Sequence, residues 1–205
     1  MYRLGRLPHP WEPPDWSKAH SDRTFGNRFD DPEGYYRVLY ASSQRLSCFV
    51  ETLARLRPDL TLLAELKEID GTDDYFPIGV ALHDWLKARI VGKASATGRY
   101  ADIYSSGWVA YLRRELAGEA LLLGLKDIDA AILQQGAPRS LTQMVSLKAY
   151  LRRLQGIYYR SRYGHDLENW AIFEPFAISD VVVAPALQPD DPDFLAALQL
   201  HHLSF

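Results

Sequence analysis

Residues 26–56 read GNRFDDPEGYYRVLYASSQRLSCFVETLARL, and their pattern predicts a turn carrying one arginine, then a strand, then a helix carrying one carboxylate. Val38, Leu39 and Tyr40 are β-formers that follow a turn region holding Pro32 and Gly34. Ser42 and Ser43 offer hydroxyls to cap the helix. Within it Leu46, Phe49, Val50, Leu53 and Leu56 recur at spacings of three and four, so they share one apolar face. Pro58 closes the helix. Glu51 falls well off that face, and from pattern alone it reads as a solvated charge.

Outward toward the N-terminus, MYRLGRL reads as a short strand. PHPWEPPDW follows, and its four prolines forbid a helix and predict an extended arm, pinned by Trp11 and Trp16. Toward the C-terminus, Leu60–Ile69 predicts a strand and Asp70–Pro77 a turn-rich loop. Residues 78–155 read as mainly helical. Leu82, Trp85, Leu86, Arg89 and Ile90 suit one helix, and Trp108, Val109, Tyr111, Leu112 and Leu116 a second. Gly92–Gly98 reads as a loop between them. Its Gly and Lys lack the ordered GxxxxGK[ST] pattern of a phosphate loop. Asp127–Gln135 suits a short helix. A longer one is capped by Ser140, has Leu141, Met144, Val145, Leu151 and Leu154 inward, and ends at Gly156. Ile157–Ser161, Asn169–Phe173 and Ile178–Ala184 read as strands, with a polar turn over Arg162–Glu168. A C-terminal helix occupies 190–205. Strands at both ends with helices between predict an α+β domain built on one mixed or antiparallel sheet.

The 205 residues suit one domain, 1–205, with a core that needs no staples. The formal net charge of −3 gives no sign of a duplex-binding surface, so no direct nucleic-acid binding is expected, and any anionic ligand must meet a local arginine group. Cys48 is the only cysteine, which excludes an intrachain disulfide and a cysteine-based zinc site. His9 and His20 lack companions at ligand spacing, and the adjacent His201 and His202 point to different sides of a helix and read as surface residues. No metal is expected. No apolar run reaches about 18 residues and no signal pattern opens the chain, so the expectation is a cytoplasmic protein without membrane contact.

Three segments resemble the RES domain family, the toxin half of RES–Xre type toxin–antitoxin pairs. GNRFDDPEGYYRVLYAS resembles its arginine turn and "vLYaS" strand. The helix with Glu51 resembles its glutamate helix. TQMVSLKAYLRRLQGIYYRSRYG and NWAIFEP resemble its "tQ…dGI.Y.SR" and "n.AlF" blocks. The resemblance runs from Tyr2 to about Val183. It implies an ADP-ribosyltransferase-like core, here enlarged by helices between the glutamate helix and the C-terminal strands. It also implies degradation of NAD by phosphorolysis or hydrolysis, with NAD as substrate, phosphate as a candidate co-substrate and no bound cofactor. The implied partner is an Xre-type helix-turn-helix antitoxin, with self-association a further expectation.

Residue by residue, the resemblance assigns the family arginine to Arg28, the strand tyrosine to Tyr40, the helix glutamate to Glu51 and the serine to Ser161. Asn27 stands where the family usually has glycine before its arginine, and Arg23 and Arg37 are neighbouring alternatives. Cleaving the nicotinamide–ribose bond leaves positive charge on the ribose, which a fixed carboxylate such as Glu51 stabilises. Arg28 would grip the pyrophosphate bidentately. Arg162 or Arg3 would supply a second cation for phosphate. Tyr40 would pack on nicotinamide, and Ser161 would bond the carboxamide or the glutamate. The structural alternatives are an Arg28 that bonds carbonyls or Asp30/Asp31, a core Tyr40 and a Ser161 that only ends a strand. Two other functions share the pattern: ADP-ribose transfer to a macromolecular acceptor, and a non-catalytic NAD-binding or interaction module.

Overall fold

The computed structural model describes residues 1–58, 60–61, 79–80 and 83–205. Strands β1 (Tyr2–Arg6), β2 (Val38–Ser42), β4 (Arg89–Ala96), β5 (Tyr100–Asp102), β6 (Gly156–Ser161), β7 (Gly164–Phe173) and β8 (Ile178–Val183) form one seven-stranded sheet in the order β5-β6-β7-β2-β1-β4-β8. Its neighbours are antiparallel except the parallel pair β5–β6. β3 (Gly79–Val80) and β9 (Leu203–Ser204) make a small parallel pair. The described helices are α1 (Arg45–Leu53), α2 (His83–Lys87), α3 (Ser106–Glu115), α4 (Ala117–Leu122), α5 (Ala130–Gln135), α6 (Arg139–Leu151) and α7 (Pro192–His201). This is an α+β fold on a mixed sheet.

Side-chain alternation divides the sheet into two faces. Tyr2, Leu4, Val38, Tyr40 and Val91 face the helices; Leu39, Ala41, Ala94 and Ile172 face the N-terminal arm. Two apolar clusters lie side by side on the helical face. One is built by α3–α6 over β2 and β5–β7, with Leu112, Leu133, Leu141 and Val145 fully buried. The other is built by α1 and α7, with Phe49, Val50, Leu53 and Phe194. The predicted apolar face of α1 is the face that packs. Arg45 fixes α1 to α7 through ion pairs to Asp191 and, at 2.6 Å, to Asp193.

The arm lies on the opposite face because two glycines let it in. A Cβ at Gly92 would sit 2.4 Å from Trp11 Nε1, and one at Gly5 would sit 2.3 Å from Pro10 O. Gly92 therefore belongs to a central strand, not to a loop. Residues 89–96, read as a helix end and a loop, form β4 because β1 and β8 supply its ladder on both sides. The mainly helical segment 78–155 thus also contains β4 and β5.

Other expectations are corrected at the same level. Gln44, not Ser42 or Ser43, precedes α1, and its side-chain oxygen accepts from Glu168 N at 3.0 Å. Ser140 lies inside α6, which starts after Pro138 and ends at Leu151, while Gly156 opens β6. Leu151 is exposed. The turn expected over 162–168 contracts to Arg162 and Tyr163, because β7 begins at Gly164. His201 is buried, its Nε2–H donating to Val50 O at 2.7 Å, while His202 is exposed. The strand over 60–69 and the loop over 70–77 fall largely or wholly outside the described residues; Leu60 and Thr61 are helical.

Candidate active site

The site is laid out by strand register. Tyr159 on β6, Asn169 on β7 and Ser42 on β2 stand directly opposite one another, so their side chains form one row on the helical face. Ile157, Ala171 and Tyr40 form the next row. Ser161 lies two residues beyond Tyr159 on the same face of β6.

Helix α1 sets Glu51 above the first row. Asn169 is almost fully buried and has its amide satisfied from three directions. Its Oδ1 accepts from Ser42 Oγ at 2.5 Å and Ser47 Oγ at 2.9 Å, and its Nδ2 donates to Glu51 Oε1 at 2.8 Å. Ser47 and Glu51 are four apart, so one stripe of α1 meets one asparagine. The two serines hold the amide oxygen on their side, which turns the NH2 group toward the carboxylate.

The arginine turn is built by Asp30. Its carboxylate accepts from Phe25 N and Asn27 N, both at 2.8 Å, and from Asn27 Nδ2 at 3.3 Å. Asn27, in place of glycine, thus takes part in holding the turn. Tyr40 Oη ties the turn to β2, accepting from Phe29 N at 2.9 Å and donating to Asp30 Oδ1 at 3.4 Å. Burial, then the charge of Asp30, holds this phenol well above its usual range. Behind the turn, Ser146 Oγ donates to Phe29 O at 2.7 Å, and Gln143 Nε2 to Asn27 O at 3.2 Å.

Arg28 projects from this turn over an aromatic floor. Its guanidinium carbon lies 4.9 Å from the Phe29 ring centroid and 5.3 Å from that of Tyr159. Nη2 donates to Tyr104 Oη at 3.2 Å and to Leu133 O. Among the described residues its buried Nε has no hydrogen-bond partner. Arg28 therefore bonds a carbonyl, but that of a distant helix, and neither Asp30 nor Asp31.

Two tyrosines register Arg28 and Glu51 together. Burial raises the Tyr159 phenol well above its ordinary value, the Glu51 charge raises it further, and Arg28 opposes. The Tyr104 phenol is raised for the same first reason, with Arg28 lowering it and Glu51 raising it. Both charges thus act on the same two hydroxyls. A guanidinium and a carboxylate held by Asn169 stand near one aromatic surface.

Of the other sequence candidates, Ser161 is buried and its Oγ accepts from Tyr163 N at 3.0 Å. Arg162 is exposed in the next turn, donating to Tyr163 Oη at 2.7 Å. Arg3 is not brought to the site. It shares a sheet face with Gly5, under the arm, and donates to Pro10 O and Tyr40 O, each at 2.7 Å. Arg37 is paired with Glu174, and Arg23 is exposed, so Arg28 is the arginine of the three that meets these tyrosines. Asn169, Tyr104, Tyr159 and Asp30 were missed. An asparagine within a strand-forming run was a readable signal, since a buried amide needs partners. Tyr104 carried none.

Among the described residues no helix is long and apolar enough to cross a membrane. A family model described as the RES domain matches residues 1–194 of the 205. No curated protein and no solved structure matches the chain.

Proposed function

The chain belongs to the RES domain family, and from that premise we propose that it is an NAD-degrading toxin that cleaves the nicotinamide–ribose bond. The observation that carries this reading is the carboxylate of Glu51 held by Asn169, which stands opposite Tyr159 on the sheet, while the Arg28 guanidinium lies over the Tyr159 ring. Arg28 grips the pyrophosphate. Glu51 faces the ribose and stabilises the positive charge that develops as the C1''–N bond breaks and its electron pair returns to the nicotinamide ring. Water, losing a proton, then bonds C1'' to give ADP-ribose; inorganic phosphate bonds it to give the 1''-phosphate. Tyr40 serves chiefly by tethering the arginine turn, with its ring as the packing surface offered to nicotinamide. Ser161 donates to the carboxamide. Arg162, in the exposed turn beside Ser161, is the candidate second cation for phosphate.

An Xre-type antitoxin that covers this site is the partner the family implies, so the test uses the free chain. Purified protein mixed with NAD is expected to release nicotinamide, and Glu51→Gln to abolish release while keeping the wild-type melting curve. Equal turnover in that variant would remove the assignment. Products with and without phosphate separate phosphorolysis from hydrolysis. Label transferred from NAD to a macromolecule would replace both with ADP-ribose transfer, and tight NAD binding without turnover would mark a binding module.

A further inference from the structure

Helix α5 makes two bonds into the candidate site. Leu133 O accepts from Arg28 Nη2, and the side chain of the next residue, Gln134 Nε2, donates to Ser161 O at 3.4 Å. One short helix therefore touches both the cation assigned to the pyrophosphate and the strand end assigned to the carboxamide.

The contact has a physical basis. The last carbonyls of a helix lack intrahelical partners and carry the negative end of its dipole, so a guanidinium is a natural ligand for them. Asp129 caps the other end, its Oδ1 accepting from Ile132 N at 2.8 Å. Gly136 closes the helix in the left-handed region at φ 67°. A Cβ there would lie 2.9 Å from Arg28 Nε, so glycine is what lets the chain come down onto the guanidinium.

This contact competes with the proposed substrate. Both Nη2 hydrogens are engaged, one by Tyr104 Oη and one by Leu133 O. A fork–fork grip on a pyrophosphate through the Nε/Nη2 edge needs one of them back. A phosphate oxygen is the stronger acceptor, since a hydrogen bond with both partners charged exceeds one to a neutral carbonyl. We propose that α5 is a displaceable latch: Leu133 O holds Arg28 until the pyrophosphate of the dinucleotide takes its place, and Gln134 releases Ser161 O as the helix end withdraws. This rests on the NAD reading above.

The probe is ADP-ribose, which carries the pyrophosphate without the scissile bond. Its binding to the wild-type chain is followed by calorimetry and by amide hydrogen exchange over residues 130–137. NAD turnover is measured in parallel for wild type, Asp129→Ala and Gln134→Ala, with melting curves to verify folding. The latch predicts faster exchange in that segment when ADP-ribose binds. It also predicts that loosening α5 tightens ADP-ribose binding and lowers the KM for NAD, by about five-fold for loss of the Asp129 cap. Activity in Asp129→Ala with a silent wild type would support it further. Binding of ADP-ribose with unchanged exchange, and with both variants binding no better, would overturn the latch and leave the NAD reading standing. Neither ADP-ribose binding nor NAD cleavage in any of the three would end both.

Discussion

Asn169 Nδ2 donates to Glu51 Oε1 at 2.8 Å, and this bond fixes where the site's carboxylate points. Asn169→Asp keeps an acceptor for Ser42 and Ser47 but sets a second carboxylate against Glu51. Nicotinamide release is expected to fall about 10²-fold or more, the range for losing one aimed group in a preorganised site. Asn169→Ala instead takes a partner from two serine hydroxyls and a carboxylate oxygen, which costs about 1–3 kcal/mol of stability for each group left unsatisfied. Kinetics and urea denaturation on both variants separate these effects. Full activity in the aspartate variant would show that Glu51 needs no orientation from β7.

Arg28 and Arg37 lie nine positions apart, yet only Arg28 sits over Phe29 and Tyr159, while Arg37 is spent on Glu174. Arg28→Lys keeps the charge and loses the planar fork and its stacking. The expected result is a kcat/KM for NAD lowered about ten-fold or more, chiefly through KM, because the lost interaction is the one proposed to bind the pyrophosphate. Arg37→Lys is expected to leave KM unchanged and to lower the melting temperature slightly. The reverse pattern would transfer the anion-binding role to Arg37.

The parts of this fold that were legible are those decided locally. The β2–α1 unit, its cap apart, is legible because its β-formers are contiguous and its apolar residues repeat at helical spacing within one element. β4 was misread because Gly92, Lys93 and the small residues after them look like a loop until Trp11, β1 and β8 are placed against them. The site shows the same division. Glu51 and Arg28 are candidates through the family resemblance alone, and the groups that hold them come from remote strands and helices, of which spacing along a chain carries no record. His201 reads as a surface residue in the sequence because the His201–His202 pair gives no hint of which ring α1 covers.

Gly92 and Gly5 test the packing of the arm. Gly92→Ala drives a Cβ into Trp11 and Pro10 side chains, whereas Gly5→Ala drives one into the Pro10 backbone. The Trp11 and Pro10 side chains can shift, whereas the Pro10 backbone is held by the Arg3 Nε bond to its carbonyl. Overpacking of this kind costs about 1–3 kcal/mol, and Gly5→Ala is expected at or above the upper end, Gly92→Ala toward the lower. Chemical denaturation with Trp fluorescence measures both. Two neutral substitutions would mean that the arm does not press on the sheet in solution.

The buried His201 predicts a pH dependence of stability that precedes acid titration of the carboxylates. Burial, opposed by the bond to Val50 O, lowers its pKa from 6.5, with Arg57 and His202 pushing the same way as burial. The unfolded chain therefore takes up a proton near 6.5 that the folded chain accepts only at lower pH. Where the unfolded state binds more protons, stability rises with pH. The contribution of His201 is thus complete above 6.5 and drains as the pH falls through the folded value. Glu174, whose carboxyl is held below 4.5 first by its bonds to Arg37, titrates in a lower window. His201→Gln can keep an N–H for Val50 O and removes the titration. Melting temperatures at about pH 7.5 and about pH 5.5 are expected to differ more in the wild type than in this variant. Since Val50 precedes Glu51 on α1, a stability loss shared equally by both proteins would show that His201 stays neutral throughout and that the helix carrying the carboxylate is indifferent to it.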